Sequence, residues 1–130
     1  MERKRLIYGF AAGVIATGVF IAGGSLAAMG STAGDAVRGE TLYQACQACH
    51  SIDENDLGPR HRGVVGRRAG SVADYSYSKA LMTSGLTWDE ATLDRWLTNP
   101  SALVPGTKMF FKVDDPKARA DIIAYLKELR

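Results

Sequence analysis

The stretch Cys46-Gln47-Ala48-Cys49-His50 constrains this chain more than any other. Two cysteines separated by two residues and followed at once by histidine read as a covalent c-type haem attachment site. One turn of helix lets each thiol add to one vinyl group of the same porphyrin and leaves the next residue beneath the iron. His50 is then the proximal ligand, because a neutral imidazole binds iron through one nitrogen and keeps the other for a hydrogen bond. A redox dithiol or half of a zinc site also uses two cysteines at this spacing. Neither accounts for the adjacent histidine, and the chain has no further cysteines for a second zinc pair.

A chain of 130 residues suits one compact domain plus an extension. The core of so small a domain is modest, so a covalent porphyrin would supply much of the buried apolar surface, and poor folding is expected without it. The formal charge of +2 comes from the extreme N-terminus, where Arg3, Lys4 and Arg5 accompany Glu2. The remainder is formally neutral, which excludes the strongly basic surface that nucleic acid requires. From Leu6 to Gly34 no charged residue occurs. Residues 1–33 therefore read as a signal peptide or an N-terminal membrane anchor. Ser31-Thr32-Ala33 places small residues where a signal peptidase reads them, and a cut after Ala33 is the favoured outcome. The alternative is anchoring through residues 6–29, a length able to cross about 30 Å of hydrocarbon. Either way the basic head stays inside and residues 34–130 face the periplasm.

The pattern from Asp35 to Ala48 predicts an amphipathic helix that carries the cysteines, with Val37, Leu42 and Tyr43 on its apolar side and Asp35 as a cap. Asp53-Glu54-Asn55-Asp56 is a solvated acidic loop. The glycine-rich run Leu57–Gly70 predicts turns around a flat cofactor rather than a strand. Within it, the Pro59 carbonyl suits the free nitrogen of a ligating histidine, although an ordinary turn proline fits equally. His61 is a second histidine, too close in sequence to the proximal ligand to reach the other face of a haem. Arg67 can meet a propionate or stand in solvent. Tyr75, Tyr77, Ala80 and Leu81 predict a short helix capped by Ser76 or Ser78 and closed by Gly85. Thr87 with Glu90 forms a capping-box pattern for the next helix, whose apolar face is Leu93, Trp96 and Leu97 and which stops before Pro100. Trp88 and Trp96 call for a large apolar partner, a porphyrin or simply the core.

A low-spin electron-transfer haem needs a sixth ligand, and a thioether raises its potential relative to a second histidine. Met109, on the Val104-Pro105-Gly106-Thr107-Lys108-Met109 stretch, is the candidate. Met29 lies in the leader and Met82 sits where a helix would pack it. Taken without Cys46–His50, Met109 reads as a core residue. Thr107 has a hydroxyl that can donate to a propionate. After Pro116, Ala118, Ile122, Ile123, Tyr125, Leu126 and Leu129 make a helical stripe, predicted to cross the first helix with Gly39 allowing close approach.

Together CQACH, GPRHRGVVGRRAG, YSYSKAL, GLTW, LTNP, PGTKM and RADIIAYL resemble the class I cytochromes c, of the c2-like and mitochondrial branch, over about residues 34–130. The resemblance implies an all-α cytochrome c fold in which crossed terminal helices and short helices surround one haem c. It implies thioethers to Cys46 and Cys49, ligation by His50 and Met109, and a Pro59 carbonyl orienting His50. Arg67, Tyr77, Trp88 and Thr107 match the surroundings of the propionates, Phe111 the aromatic over the exposed haem edge, and Gly39, Ile122 and Tyr125 the helix crossing. Three departures stand out. The loop from His50 to Pro59 is short; Trp96 replaces a tyrosine whose hydroxyl bonds the methionine sulfur; His61 occupies a usually apolar position. The Trp96 exchange is expected to alter the potential and the lability of the methionine. The lysine ring of the mitochondrial members is partly present, in Lys79, Lys108 and Lys112.

The implied function is a monomeric one-electron carrier of a respiratory chain, not an enzyme. Its partners would be a membrane oxidase, a bc1-type complex or a periplasmic dehydrogenase, with no nucleic acid. The alternative is a haem enzyme or a gas or peroxide sensor from which Met109 departs.

Overall fold

The computed structural model describes residues 33–130, and the expectations for the leader, its cleavage and its anchoring lie outside the described residues. Within them the chain is helical: α1 (Ala36–Tyr43), a 3-10 turn at Cys46–Ala48, α2 (Lys79–Met82), α3 (Glu90–Thr98), α4 (Pro100–Leu103) and α5 (Pro116–Glu128). No described helix is long and apolar enough to cross a membrane. The only strand-like pairing of this kind among the described residues is an isolated bridge between Arg68 and Thr87.

Local chemistry sets most helix starts. The Asp35 carboxylate accepts the N–H groups of Val37 and Arg38, and the Ser78 hydroxyl accepts that of Leu81. Asp115 caps α5 with Pro116 in its first turn, where the missing N–H costs nothing. The expected Thr87 cap is corrected to Asp89, whose carboxylate accepts the Thr92 N–H at 2.7 Å. Tertiary pairing overrides the local signal there. Gly66 donates to the Trp88 carbonyl, Trp88 to Arg67 and Ala69 to Leu86, which ties Thr87 into an extended segment.

The terminal helices α1 and α5 cross, as expected. Gly39 sits at the crossing, where an added Cβ would overlap the Asp121 carbonyl and crowd Tyr125. One helical turn on, Tyr43 is only 1% exposed and its ring lies 5.2 Å from that of Tyr125. Val37 is corrected: at 79% exposure it points away from α5. The crossing face runs through Gly39 and Tyr43, four positions apart, and Val37 projects about 100° per residue off that stripe. Met82 is likewise not packed but half-exposed at the end of α2.

The crossing also contains a charged group. Asp121 is fully buried, accepts the Asp35 backbone N–H at 2.7 Å and pairs with Arg38 and Lys117. Burial alone would raise its pKa, but the hydrogen bonds from Asp35, Lys117 and Arg38 outweigh it and hold the carboxyl at about 2. Arg119, also on α5, reaches Asp94 of α3 at 2.7 Å and the carbonyls of Val113 and Asp114. These contacts join α1, α3 and α5.

Candidate haem-binding site

The helix predicted through Ala48 breaks after Tyr43, and the cysteines lie on the separate 3-10 turn. Both the Cys49 and His50 N–H groups donate to the Cys46 carbonyl, which closes the attachment turn. The chain then doubles back. Gly58 donates to the Cys49 carbonyl at 2.7 Å, His61 to Ser51 at 3.1 Å and Arg62 to Ile52 at 2.7 Å. This pairing lays Leu57–Arg62 beside His50.

Three contacts then fix the His50 ring. Nδ1 lies 2.7 Å from the Pro59 carbonyl oxygen. A carbonyl only accepts, so the proton is on Nδ1 and Nε2 is left with a lone pair for a metal. Gly58 packs so closely that any Cβ would overlap the His50 ring. The His61 ring stacks on it with centroids 4.0 Å apart and planes 22° apart. Burial lowers the His50 pKa, outweighing the Pro59 hydrogen bond and the charge of Asp56, and so favours the neutral, ligating form.

The methionine side is built from α3 and the loop after α4. Asn99 ends α3 and caps α4, its side chain accepting the Ala102 N–H, so Pro100 starts a new short helix. The chain then turns through Pro105-Gly106 into an open loop. Thr107, buried, accepts the Met109 N–H at 3.3 Å through its hydroxyl. The Trp96 indole Nε1–H donates to the Met109 sulfur at 3.2 Å. The Trp96 indole therefore reaches the thioether. Indole is a donor only, so it engages one sulfur lone pair and leaves the other.

The groups that meet the His50 ring and the Met109 sulfur line one cavity of about 510 Å³, within the range of about 300–1,000 Å³ that cofactor pockets occupy. Cys46, Cys49, His50, Pro59, Arg67, Tyr77, Trp88, Trp96, Thr107, Met109 and Phe111 all face it, so every candidate site residue is brought together. The rest of the lining is mostly apolar, with Leu81, Leu93, Leu97, Ile122 and Leu126. Trp88 and Trp96 pack together at 5.1 Å in the wall. Arg67 is half-buried, its guanidinium donating to the carbonyls of Arg62 at 3.0 Å and Arg60 at 2.8 Å. Tyr77 meets Tyr75 edge-on at 4.7 Å. At the rim, Phe111 is half-exposed and Phe110 and Leu57 more so.

Two thiols, an imidazole with a free Nε2, a thioether and a mostly apolar cavity fit a covalently attached, low-spin haem. A redox dithiol fits poorly, since it needs a lowered thiol pKa. Burial instead pushes the Cys46 thiol up to about 11. No group of three or more His, Cys, Asp and Glu side chains suited to a bare metal ion occurs among the described residues.

The link from Tyr43 through His61 to His50 goes beyond the sequence expectations. His61 Nδ1 and the Tyr43 hydroxyl are hydrogen-bonded at 2.9 Å. Burial, then the neighbouring His50 and Arg67, lower the His61 pKa to about 3, so it stays neutral. Its place against His50 removes it as a rival for the sixth position. The sequence marked His61 as unusual but held no signal for the stacking.

Comparisons with known proteins agree with the site. The family model for Cytochrome c matches residues 36–130. The chain is 50% identical over 98 residues to cytochrome c2 of Rhodomicrobium vannielii, covering 72% of this chain and 78% of that one. It is 46% identical over 90 residues to cytochrome c2 iso-2 of Magnetospirillum fulvum, covering 67% and 94%. Among solved structures, cytochrome cH from Methylobacterium extorquens superposes with a TM-score of 0.71 at 54% identity, over 73% of this chain and 99% of that one. The haem-shaped donor set thus sits in a fold and a sequence shared with these proteins, and the chain belongs to the cytochrome c family.

Proposed function

We propose that this chain is a periplasmic one-electron carrier whose haem c is held by Cys46 and Cys49 and ligated by His50 and Met109. Family membership makes it a haem-based electron-transfer protein with one covalent haem c, not an enzyme. The observation that carries the ligand pair is that a tautomer-fixed His50 and a hydrogen-bonded Met109 line the same cavity. The bound haem supplies a one-electron couple whose potential a thioether ligand raises.

The chain's own residues do the rest. Pro59 keeps the His50 proton on Nδ1, and Trp96 and Thr107 hold the methionine at its sulfur and its backbone N–H. The apolar wall excludes water. Arg67, Tyr77, Trp88 and Thr107 would receive the propionates. Phe110 and Phe111, exposed at the rim beside Lys108, would form the face that a redox partner approaches. With a formally neutral domain, docking there would be local, weak and transient. A membrane oxidase, a bc1-type complex or a periplasmic dehydrogenase suits that mode, with the carrier monomeric. The fold is already engaged at Gly34, which packs on Ala120, and at Asp35, which supports a boundary after Ala33. Cleavage there, rather than anchoring through residues 6–29, would free the domain, and the mass of the native protein decides between the two.

The test is Met109→Ala. The variant should keep covalent haem, lose the near-red methionine-to-iron charge-transfer band of the ferric protein, and fall in midpoint by on the order of 0.2 V, a quarter of the span set by axial ligands. An unchanged band and midpoint would remove Met109 from the iron.

A further inference from the structure

We propose that His61 is a positioning residue for the proximal ligand, setting the plane of the His50 imidazole through a flat stacked contact that Tyr43 anchors from the helix crossing. The inference rests on His50 ligating the haem.

The Pro59 hydrogen bond lies in the plane of the His50 ring and fixes which edge points at the carbonyl. It restrains tilt of that plane much less. Tilt is restrained by what touches the ring face, and there the structure supplies Gly58 backbone and the His61 ring, nearly parallel at 4.0 Å. A branched aliphatic side chain at this position would offer rounded methyl groups. A second imidazole offers a flat surface that matches one orientation of its neighbour.

A flat neighbour is useful only if it is itself fixed. His61 is fixed at its backbone, where its N–H donates to the Ser51 carbonyl and its carbonyl accepts from Val64. It is fixed at its ring by the hydrogen bond to the Tyr43 hydroxyl at 2.9 Å. Tyr43 in turn is the most enclosed aromatic of the α1 crossing, 1% exposed and packed on Tyr125. The chain of contact runs from the crossed helices through Tyr43 and His61 to the ligand. Outer partners of this kind orient a metal-bound histidine and tune the metal. Phenol and imidazole are matched as donor and acceptor in either tautomer, so the link needs no change of charge.

Proton NMR of the ferric holoprotein reads the plane directly, because the unpaired spin on a low-spin haem follows the orientation of its axial imidazole. In His61→Ala the hyperfine-shifted haem-methyl resonances should redistribute by several parts per million and broaden. In His61→Phe, which restores a flat ring but not the hydrogen bond to Tyr43, the resonances should return only part of the way toward the wild-type order, to about the pattern of Tyr43→Phe. Tyr43→Phe leaves both rings in place but frees His61, and it should shift the pattern in the same sense as His61→Ala and by less. A merely packing role would lower thermal stability in His61→Ala and Tyr43→Phe while leaving the methyl pattern as in wild type, and that result overturns the proposal. Should His61→Ala yield no holoprotein, Tyr43→Phe decides alone, a shifted pattern supporting the proposal and an unchanged one overturning it. The wild-type ferrous spectrum separates the two levels. Missing upfield-shifted ring-proton signals of the His50 imidazole there contradict the ligation reading, whereas their presence with unchanged variants contradicts only the positioning role of His61.

Discussion

The two walls of the cavity are held in unlike ways. On the histidine wall, the ring of His50 is met by a carbonyl, a glycine backbone and a stacked imidazole, and the segment carrying those groups is tied to Cys49, Ser51 and Ile52 by three backbone hydrogen bonds. On the methionine wall, Met109 sits in a loop without regular structure and is held by one hydrogen bond to its sulfur and one from its own N–H. Sulfur is a weak acceptor, so this side is secured by little. With His50 and Met109 as the proposed ligands, the difference predicts a division of labour in which the histidine side would fix the cofactor and the methionine side would tune it and be the place where coordination gives way.

The harshest way to break that contrast is to remove the fixed side. His50→Ala, or loss of both Cys46 and Cys49, should abolish the holoprotein, seen as no covalent haem after acid-acetone extraction. Retention of covalent haem and a low-spin spectrum in His50→Ala would show that another group can take over the wall. The next effect lies at the support behind it. Gly39→Ala forces a Cβ against the Asp121 carbonyl, and overpacking of this kind costs about 1–3 kcal/mol or more. Thermal unfolding should drop accordingly. A melting temperature equal to wild type would mean that the helices slide apart without cost.

Acid provides a gentler probe of the same support. The Asp121 carboxyl titrates at about 2 in the fold against an ordinary value of 3.8. Its folded pKa is depressed, so its contribution is complete above about pH 4 and is lost as the pH falls toward 2. Asp121→Asn should flatten the pH dependence of stability in that window, measured by chemical unfolding at a series of pH values. An unaltered slope would place the acid sensitivity elsewhere. The smallest effect belongs to the methionine wall. Trp96→Phe removes the indole N–H from the sulfur at a cost of about 1 kcal/mol, so added imidazole should bind the ferric protein about five-fold more tightly. Equal affinity would mean that the 3.2 Å contact does not secure the methionine.

The parts of this architecture legible in the sequence are those governed by near neighbours in the chain. The spacing of Cys46, Cys49 and His50, the Pro59 carbonyl nine residues on, the caps at Asp35 and Ser78 and the start of α5 at Pro116 all depend on short segments. The exceptions arise where remote segments meet. Thr87 has the right partner for a cap in Glu90, yet its pairing with Arg68 takes precedence. Asp121 interrupts an apolar stripe, and only the arrival of Asp35 and Arg38 from α1 explains its burial. Val37 is apolar and belongs to the right helix, but the turn of α1 directs it to solvent. Trp96 and His61 were conspicuous as residue types. Their partners, Met109, Tyr43 and His50, became definite only once the loops were placed.

The contrast between the walls is tested most directly by titrating imidazole into the ferric wild-type holoprotein and following both ligands by NMR. The account predicts that the Met109 resonances leave the hyperfine-shifted region while those of His50 remain, and that Met109 returns when imidazole is removed. Departure of His50, or displacement of neither residue at saturating imidazole, would contradict it.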